Sequence, residues 1–395
     1  MSNEATTTTT ASPIRPFRIQ VPEKEIEDLR DRLAATRWPV QPDGTGWERG
    51  VPLGYLQGIA DHWRNDFHWA AREAELNRFP QYVTTVDGQD IHFVHAPSPE
   101  PGAMPLVLLH GWPVSFVEFS RVIDPLIDPL GHGGRAEDAF HVVVPSIPGF
   151  GYSTPVKEPG WSTGRVARAV VELMHRLGYY RYGAHGGDVG AGVAAGLGPA
   201  DSSGVIGVHV ATDPRTAVSF AMFSGDPAQT PGLSEEERGR VERMKQISSD
   251  DMGYLQIQST RPQTLAYGLN DSPVAQLAWI VEKFREWTDP AADLPEEAVD
   301  RDHLLTNVAL YWFTRSGAST AHFLYDSMHA QDWGEEGTTP TGFAVFGRDP
   351  VTRRLMDPEH KVEHWSEFER GGHFPAMEVP DLLVDDVRAF FRPMR

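Results

Sequence analysis

The chain has 395 residues, with 55 acidic against 35 basic side chains, a formal net charge of −20, and no cysteine. The lack of cysteine excludes disulfides, thiolate zinc sites, iron–sulfur clusters and a thiol nucleophile, and fits a reducing compartment. The acidic balance argues against nucleic acid and anionic membrane surfaces, which are bound through basic patches, and the length suits one large domain with insertions or two to three modules.

Residues 1–13 are Thr-rich and polar, lack the basic flank and apolar stretch of a signal peptide, and read as a disordered leader. No apolar run is long enough to span a bilayer, so a soluble, cytoplasmic protein is expected. Residues 14–81 are predicted to be a helical region. Ile26, Leu29 and Leu33 recur at helical spacing in EKEIEDLRDRLAATRWP, which Pro39 closes, and DHWRNDFHWAAREAEL forms a second helical stretch carrying Trp63, Phe67 and Trp69.

From Tyr82 the period changes, opening a core segment over residues 82–213. YVTTV, a turn at Asp87-Gly88 and DIHFVHA read as a β-hairpin. LVLL at Leu106–Leu109 and HVVV at His141–Val144 are short continuous apolar runs, the mark of parallel strands covered on both faces. Helix GRVARAVVELMHRLG, strand YRYGAHG, helix VGAGVAAGLG and strand VIGVHVAT follow, an alternation that predicts a doubly wound α/β core. Over residues 214–338 helical pattern replaces strands, with Ser234 and Glu237 spaced as a capping box. Residues 339–395 return to the core with strand GFAVFG and a closing amphipathic helix, DLLVDDVRAFF.

The sharpest local feature is Gly186-Gly187-Asp188-Val189-Gly190, where a predicted strand turns at once into a small-residue helix. The pattern matches the nucleophile elbow of the α/β-hydrolase fold, whose flanking small residues let strand and helix approach closely. A carboxylate at the central position can attack an electrophilic sp³ carbon, as in an epoxide or alkyl halide, and form an ester that water later cleaves. Alone, an Asp between glycines is also an ordinary turn or helix cap. Its context points to catalysis, because His110-Gly111-Trp112-Pro113 follows the buried strand LVLL, where this fold takes one backbone N–H of its oxyanion hole. The other donor follows the nucleophile, so Trp112 and Val189 are candidates through their backbone N–H groups.

Triad order in this fold is nucleophile, acid, histidine, which places the base late in the chain. Of the 16 histidines, His373 in RGGHFP lies in a loop after the last predicted strand; His68 and His322 fall in helical pattern, His92 and His141 in strands, and His110 in the oxyanion loop. Asp349, after GFAVFG, fits the order as the acid that orients His373, and Asp213, closing VIGVHVAT, is its competitor. Each precedes a proline and is also an ordinary turn.

Taken together, PFRIQVPEKEIEDLRDRLAATRWP, HWRNDFHWAAREAELNRFP, HGWP, IPGFGYS, GGDVGAGV, GYLQIQSTRP, LNDSPVAQLAWIVEKF, LLTNVALYWFT and RGGHFPAMEVP resemble epoxide hydrolases of the microsomal and juvenile-hormone type. The resemblance covers nearly everything after the leader. It implies an α/β-hydrolase fold with a helical cap insertion and an N-terminal helical extension wrapping the core. It also implies two cap tyrosines that donate hydrogen bonds to the epoxide oxygen, which would otherwise leave as an alkoxide. Tyr254 in Gly253-Tyr254-Leu255-Gln256 matches the first. For the second, a gapless count puts Leu324 at the family position and Tyr325 one residue later, so either the backbone shifts and Tyr325 serves, or Tyr254 acts alone; Tyr325 is the expected second donor. Tyr267 and Tyr311 read as core or rim residues. Relatives often carry glutamate where this chain has Asp349, which leaves room for Asp213.

The resulting expectation is a cofactor-independent, metal-independent epoxide hydrolase that converts an apolar epoxide to a vicinal diol through a covalent Asp188 ester, with water as co-substrate and a homodimer as the assembly. The alternatives are a haloalkane dehalogenase, which wants a halide-binding tryptophan where this chain has Val189, and a non-catalytic ligand-binding protein on the same fold.

Overall fold

The computed structural model describes residues 12–211, 232–330, 338–347, 353–357 and 359–395. The leader through residue 11 and both candidate acids, Asp213 and Asp349, lie outside the described residues. The chain enters the sheet through β1 (Arg15–Phe17), antiparallel to β2 (Gln81–Val86). β2 pairs antiparallel with β3 (Gln89–Ala96) across the Asp87-Gly88 turn, where both residues adopt positive φ as such a turn requires.

Between β1 and β2 lie α1 (Glu23–Ala34), α2 (Leu53–Asn65) and α3 (Trp69–Leu76). The second predicted helical stretch is therefore broken, with His68 extended at its centre. The reason is geometric. Trp63 and Phe67 are four apart and share a helix face, whereas Trp69 would point to the opposite side, and the break lets all three bury to 4% exposure or less. The segment is tied to the rest by long-range bonds: Asn77 bonds both the N–H and the carbonyl of Ile19, His62 Nε2 lies 2.8 Å from Asp302, and Tyr55 donates to Glu296.

The two apolar runs become β4 (Met104–Leu109) and β5 (Phe140–Pro145), paired in parallel at the centre of the sheet. Leu106–Leu109 and Val142–Val144 are at most 1% exposed, as expected of strands covered on both faces. β6 (Tyr182–Gly187), β7 (Val205–Ala211), β8 (Thr341–Val345) and β9 (His364–Glu367) continue in parallel, giving the order β1-β2-β3-β5-β4-β6-β7-β8-β9 among the described residues. β9 carries no apolar run, which is why its four residues escape pattern reading. Short α4 (Ile123–Ile127), then α5 (Thr163–Arg176) and α6 (Val189–Ala200), fill the crossovers, and Ser162 caps α5 as its position predicts.

Helices occupy the described chain between β7 and β8: α7 (Glu235–Asp250), α8 (Gly253–Thr260), α9 (Pro262–Asp271), α10 (Pro273–Trp287), short α11 (Pro295–Ala298), α12 (Arg301–Thr314) and α13 (Ser316–His329). The capping box forms as spaced, with Ser234 N–H on Glu237 and Glu237 N–H on Ser234 Oγ. Short α14 (Arg353–Met356) and α15 (Pro375–Glu378) precede α16 (Pro380–Phe391). The last helix buries Leu383, Val384, Val387, Phe390 and Phe391, each side chain worth about 1.5–3 kcal/mol of burial.

α16 also carries a buried carboxylate. Asp386 accepts from His209 Nε2 (2.9 Å), His364 Nε2 (2.8 Å) and Ser366 Oγ (2.6 Å), and His209 Nδ1 in turn meets His185 Nδ1 at 2.9 Å. Burial alone would raise this carboxyl, but the hydrogen bonds outweigh it and hold it at about 2. Because the folded value lies below the ordinary value of about 4, the stabilisation is present above that pH and is lost as pH falls through about 2. Asp386→Asn offers a single acceptor to three donors, and urea unfolding at pH 7 is expected to read a loss of about 2–4 kcal/mol. An unchanged midpoint would remove the network from the stability account.

Candidate active site

β6 ends and α6 begins around a single residue, Asp188, at φ 52 and ψ −128. A non-glycine residue there is strained, and neighbours must hold it. The glycines permit the crossing: a Cβ on Gly190 would lie 1.9 Å from the Leu109 carbonyl oxygen, and one on Gly111 would lie 2.3 Å from Asp188 Cβ. Only backbone fits between the end of β4, the elbow and the first turn of α6, and so the carboxylate projects over the edge of the sheet.

Its two oxygens have different partners. Trp112 N–H donates to Oδ1 at 2.8 Å, and His373 Nε2 lies 3.1 Å from Oδ2. Both side chains are partly exposed, His373 at 22% and Asp188 at 16%, so neither is sealed from solvent. Val189 is the first residue of α6, and its N–H follows the elbow without bonding the carboxylate. The oxyanion loop is braced from two sides. His110, which burial holds at about 4, is neutral at physiological pH; it accepts Ile147 N–H on Nε2 and faces its own loop's Gly111 carbonyl through Nδ1. From α12, Asn307 donates to the Pro113 carbonyl and the Tyr311 hydroxyl to the Val114 carbonyl, each at 2.8 Å.

Over the carboxylate stands an aromatic wall. The Trp112 ring stacks on Tyr254 at 4.9 Å, nearly parallel at 5°, Trp287 packs edge-on to both, and His373 lies 4.9 Å from Trp287. Burial raises the Tyr254 phenol above its ordinary range, and the negative charges of Asp188 and Asp251 raise it further, so it stays a neutral donor at working pH. Lys283, buried at 2% exposure and paired with Glu282 at 2.6 Å, places its ammonium 4.8 Å from the centre of the Tyr254 ring. The carboxyl of buried Glu118 is raised well above the carboxylate range by burial and then by Asp188 and Glu378.

Asp188, His373, the Trp112 N–H and Tyr254 thus come together from four separated stretches of chain. Tyr325 does not join them. α13 starts after a left-handed break at Arg315; Leu324 is buried, and the Tyr325 ring stacks on His329 at 4.1 Å. Among the described residues no hydrogen bond or ring contact links Tyr325 to Asp188, His373, Tyr254 or Trp112. Tyr311 is a buried brace of the oxyanion loop, and Tyr267 is exposed. Sequence reasoning missed Trp287, Lys283, Asn307 and Glu118. All sit inside apolar helical or loop motifs, where their side-chain direction carries no signal until the helices are packed.

The architecture and the elbow define an α/β hydrolase, and comparison with known proteins narrows this. Residues 106–386 match the family described as "Alpha/beta hydrolase family", and residues 14–119 match "Epoxide hydrolase N terminus". A relative from Stigmatella aurantiaca is 43% identical over 97% of this chain and 86% of its own, and epoxide hydrolase 1 of Sus scrofa is 34% identical over 95% of this chain and 88% of its own. The solved epoxide hydrolase of Aspergillus niger superposes with a TM-score of 0.81 at 30% identity, covering 98% of each chain. The chain belongs to the epoxide hydrolases of the α/β-hydrolase family. Among its described residues no helix is long and apolar enough to cross a membrane.

Gly111→Ala would push a methyl group into Asp188 and displace the carboxylate from the Trp112 N–H. A shift of about 1 Å is expected to lower kcat/KM for epoxide hydration roughly a hundredfold. An assay finding wild-type turnover would mean that the Oδ1 contact is not part of the working geometry.

Proposed function

We propose that the enzyme opens its epoxide with Asp188 as a covalent nucleophile. The observation that carries this reading is the division of the carboxylate: Oδ1 is held by the Trp112 N–H at 2.8 Å, and Oδ2 faces His373 at 3.1 Å. Oδ2 attacks one epoxide carbon, the carbon–oxygen bond of the ring breaks, and the departing oxygen takes a proton from the neutral Tyr254 phenol. His373 then removes a proton from water, which attacks Cγ of the ester, and negative charge gathers on Oδ1 opposite the Trp112 and Val189 N–H groups. Collapse expels Oδ2 with the product, which takes the proton held by His373 to become a vicinal diol; the water oxygen stays in Asp188, and the second proton of that water returns to the Tyr254 phenolate. Asp349, or Asp213 in its place, is the proposed acid that orients His373.

The ring-opening acid is Tyr254. Tyr325 belongs to a helix whose register gives the inward position to Leu324, so the reading assigns it no proton. The wall of Trp112, Tyr254 and Trp287 favours an apolar epoxide, since flat aromatic surface rewards burial of hydrocarbon. No observation favours the dehalogenase alternative.

Two measurements test this reading. In a single turnover with excess enzyme, styrene oxide and ¹⁸O-water, the diol is expected unlabelled and the peptide containing Asp188 labelled. Labelled diol with unlabelled Asp188 would mean direct attack by water. Separately, Tyr254→Phe is expected to slow ester formation by about 10²–10⁴-fold, the range for general acid catalysis, while hydrolysis of the ester changes little. Equal slowing of both steps would end the acid assignment, and Tyr325→Phe is the control expected to leave ester formation within about twofold.

A further inference from the structure

His373 belongs to a loop that is fastened, residue by residue, to the end of α10, the helix that also carries Trp287 and Lys283. The His373 N–H donates to the Trp287 carbonyl at 2.7 Å, and the Phe374 ring stacks on Phe284 at 4.5 Å. A Cβ on Gly372 would lie 2.5 Å from the Thr288 carbonyl carbon, so the loop lies backbone against backbone on the helix terminus. Two carboxylates close the joint. Glu378, at the end of α15, accepts Phe374 N–H on Oε1 at 2.9 Å and Asp289 N–H on Oε2 at 2.7 Å. Asp289 in turn accepts Gly371 N–H on Oδ2 at 2.7 Å.

We infer that Glu378 is a positioning residue for the hydrolytic half of the reaction: by bridging Phe374 N–H and Asp289 N–H it locks the base loop to α10 and holds His373 in line with Asp188. The inference rests on the proposed two-step mechanism and adds to it a residue that touches neither substrate nor the reacting atoms. Its chemistry follows from the donor count. Two backbone N–H groups approach one side chain from different segments, and each meets a different oxygen of the carboxylate. Burial raises this carboxyl to about 7 against the pull of the two N–H groups, so its charge is held at a cost that a merely space-filling residue would not incur. The neighbouring Asp289 carboxylate raises it further, and Glu118 feels Glu378 in turn.

The asymmetry between the two steps makes this testable. Ester formation uses Asp188, held by β6, α6 and the loop of Trp112, together with Tyr254 on α8, and neither side chain hydrogen-bonds Glu378. Ester hydrolysis uses His373, whose loop Glu378 holds at the Phe374 N–H. Glu378→Gln is nearly isosteric but has one acceptor oxygen, so its NH₂ faces one of the two N–H donors. Stopped-flow and quenched single turnovers with styrene oxide are expected to read ester formation within about twofold of wild type and hydrolysis slowed at least about tenfold, with the alkyl-enzyme accumulating in intact mass. Glu378→Asp keeps both oxygens and is expected to recover part of the hydrolysis rate.

Asp289→Asn, which weakens only the Gly371 end of the joint, is expected to shift the same partition by a smaller factor, and it decides the matter if Glu378→Gln does not fold. Equal slowing of both steps, or an unchanged partition in the folded variants, would overturn the positioning role. The two readings fail separately: wild-type enzyme that leaves Asp188 unlabelled from ¹⁸O-water sinks the covalent mechanism, whereas labelled wild type with an unaltered partition in the variants sinks only the role of Glu378.

Discussion

A carboxylate held at φ 52 where a strand becomes a helix is the constraint around which the rest of the molecule is arranged. The strained conformation costs on the order of 1–3 kcal/mol and persists only because the surroundings leave no alternative. β4 and α6 approach so closely at Gly190 that no side chain fits, and β6 is fixed between β4 and β7 in the middle of a nine-stranded sheet. The gain is directional. A flexible Asp on a surface loop would sample many orientations, whereas this one presents one oxygen to a backbone N–H and the other to the base.

Around that fixed point the remaining parts are brought in by packing. The parallel strands supply a rigid floor, and the helices between β7 and β8 supply the wall. α12 braces the loop of Trp112 through Asn307 and Tyr311, α8 brings Tyr254 onto the face of Trp112, and α10 sets Trp287 against both Tyr254 and His373. α10 therefore has two tasks, holding Lys283 against the Tyr254 ring and receiving the loop of His373 on its last turn. The N-terminal helices anchor this region in turn, since Tyr55 and His62 bond to Glu296 and Asp302. Burial sets the charge state within: a neutral phenol in Tyr254, a neutral imidazole in His110, and a Glu118 carboxyl raised well above its ordinary range.

Much of this was legible in the chain because it rests on local rules. Continuous apolar runs announced β4 and β5, alternation with an Asp-Gly turn announced the β2–β3 hairpin, and Ser234 with Glu237 announced a helix start. The elbow was visible because close approach of a strand and a helix demands small residues at fixed offsets around the reacting one. Where local rules competed, reading failed. The Trp63–Trp69 stretch is helical in pattern but cannot place three large aromatics on one face, and β9 has no apolar signature because its place at the sheet edge comes from pairing with β8.

What the sequence determined by itself is the fold class, the elbow at Asp188, the pairing of His373 with it and the loop of Trp112 that faces them, since each depends on residue type at short spacing or on chain order. What only the tertiary structure decided is which distant groups share the site. A lysine in an apolar helix and a glutamate after a histidine loop read as ordinary residues in one dimension, and the place of Tyr325 was open between two readings. Their roles depend on helix rotation and docking, which set Lys283 against Tyr254, Glu378 between two backbone donors, and Tyr325 on His329. Side-chain direction in a packed helical layer follows from its neighbours, and those neighbours are chosen by the fold as a whole.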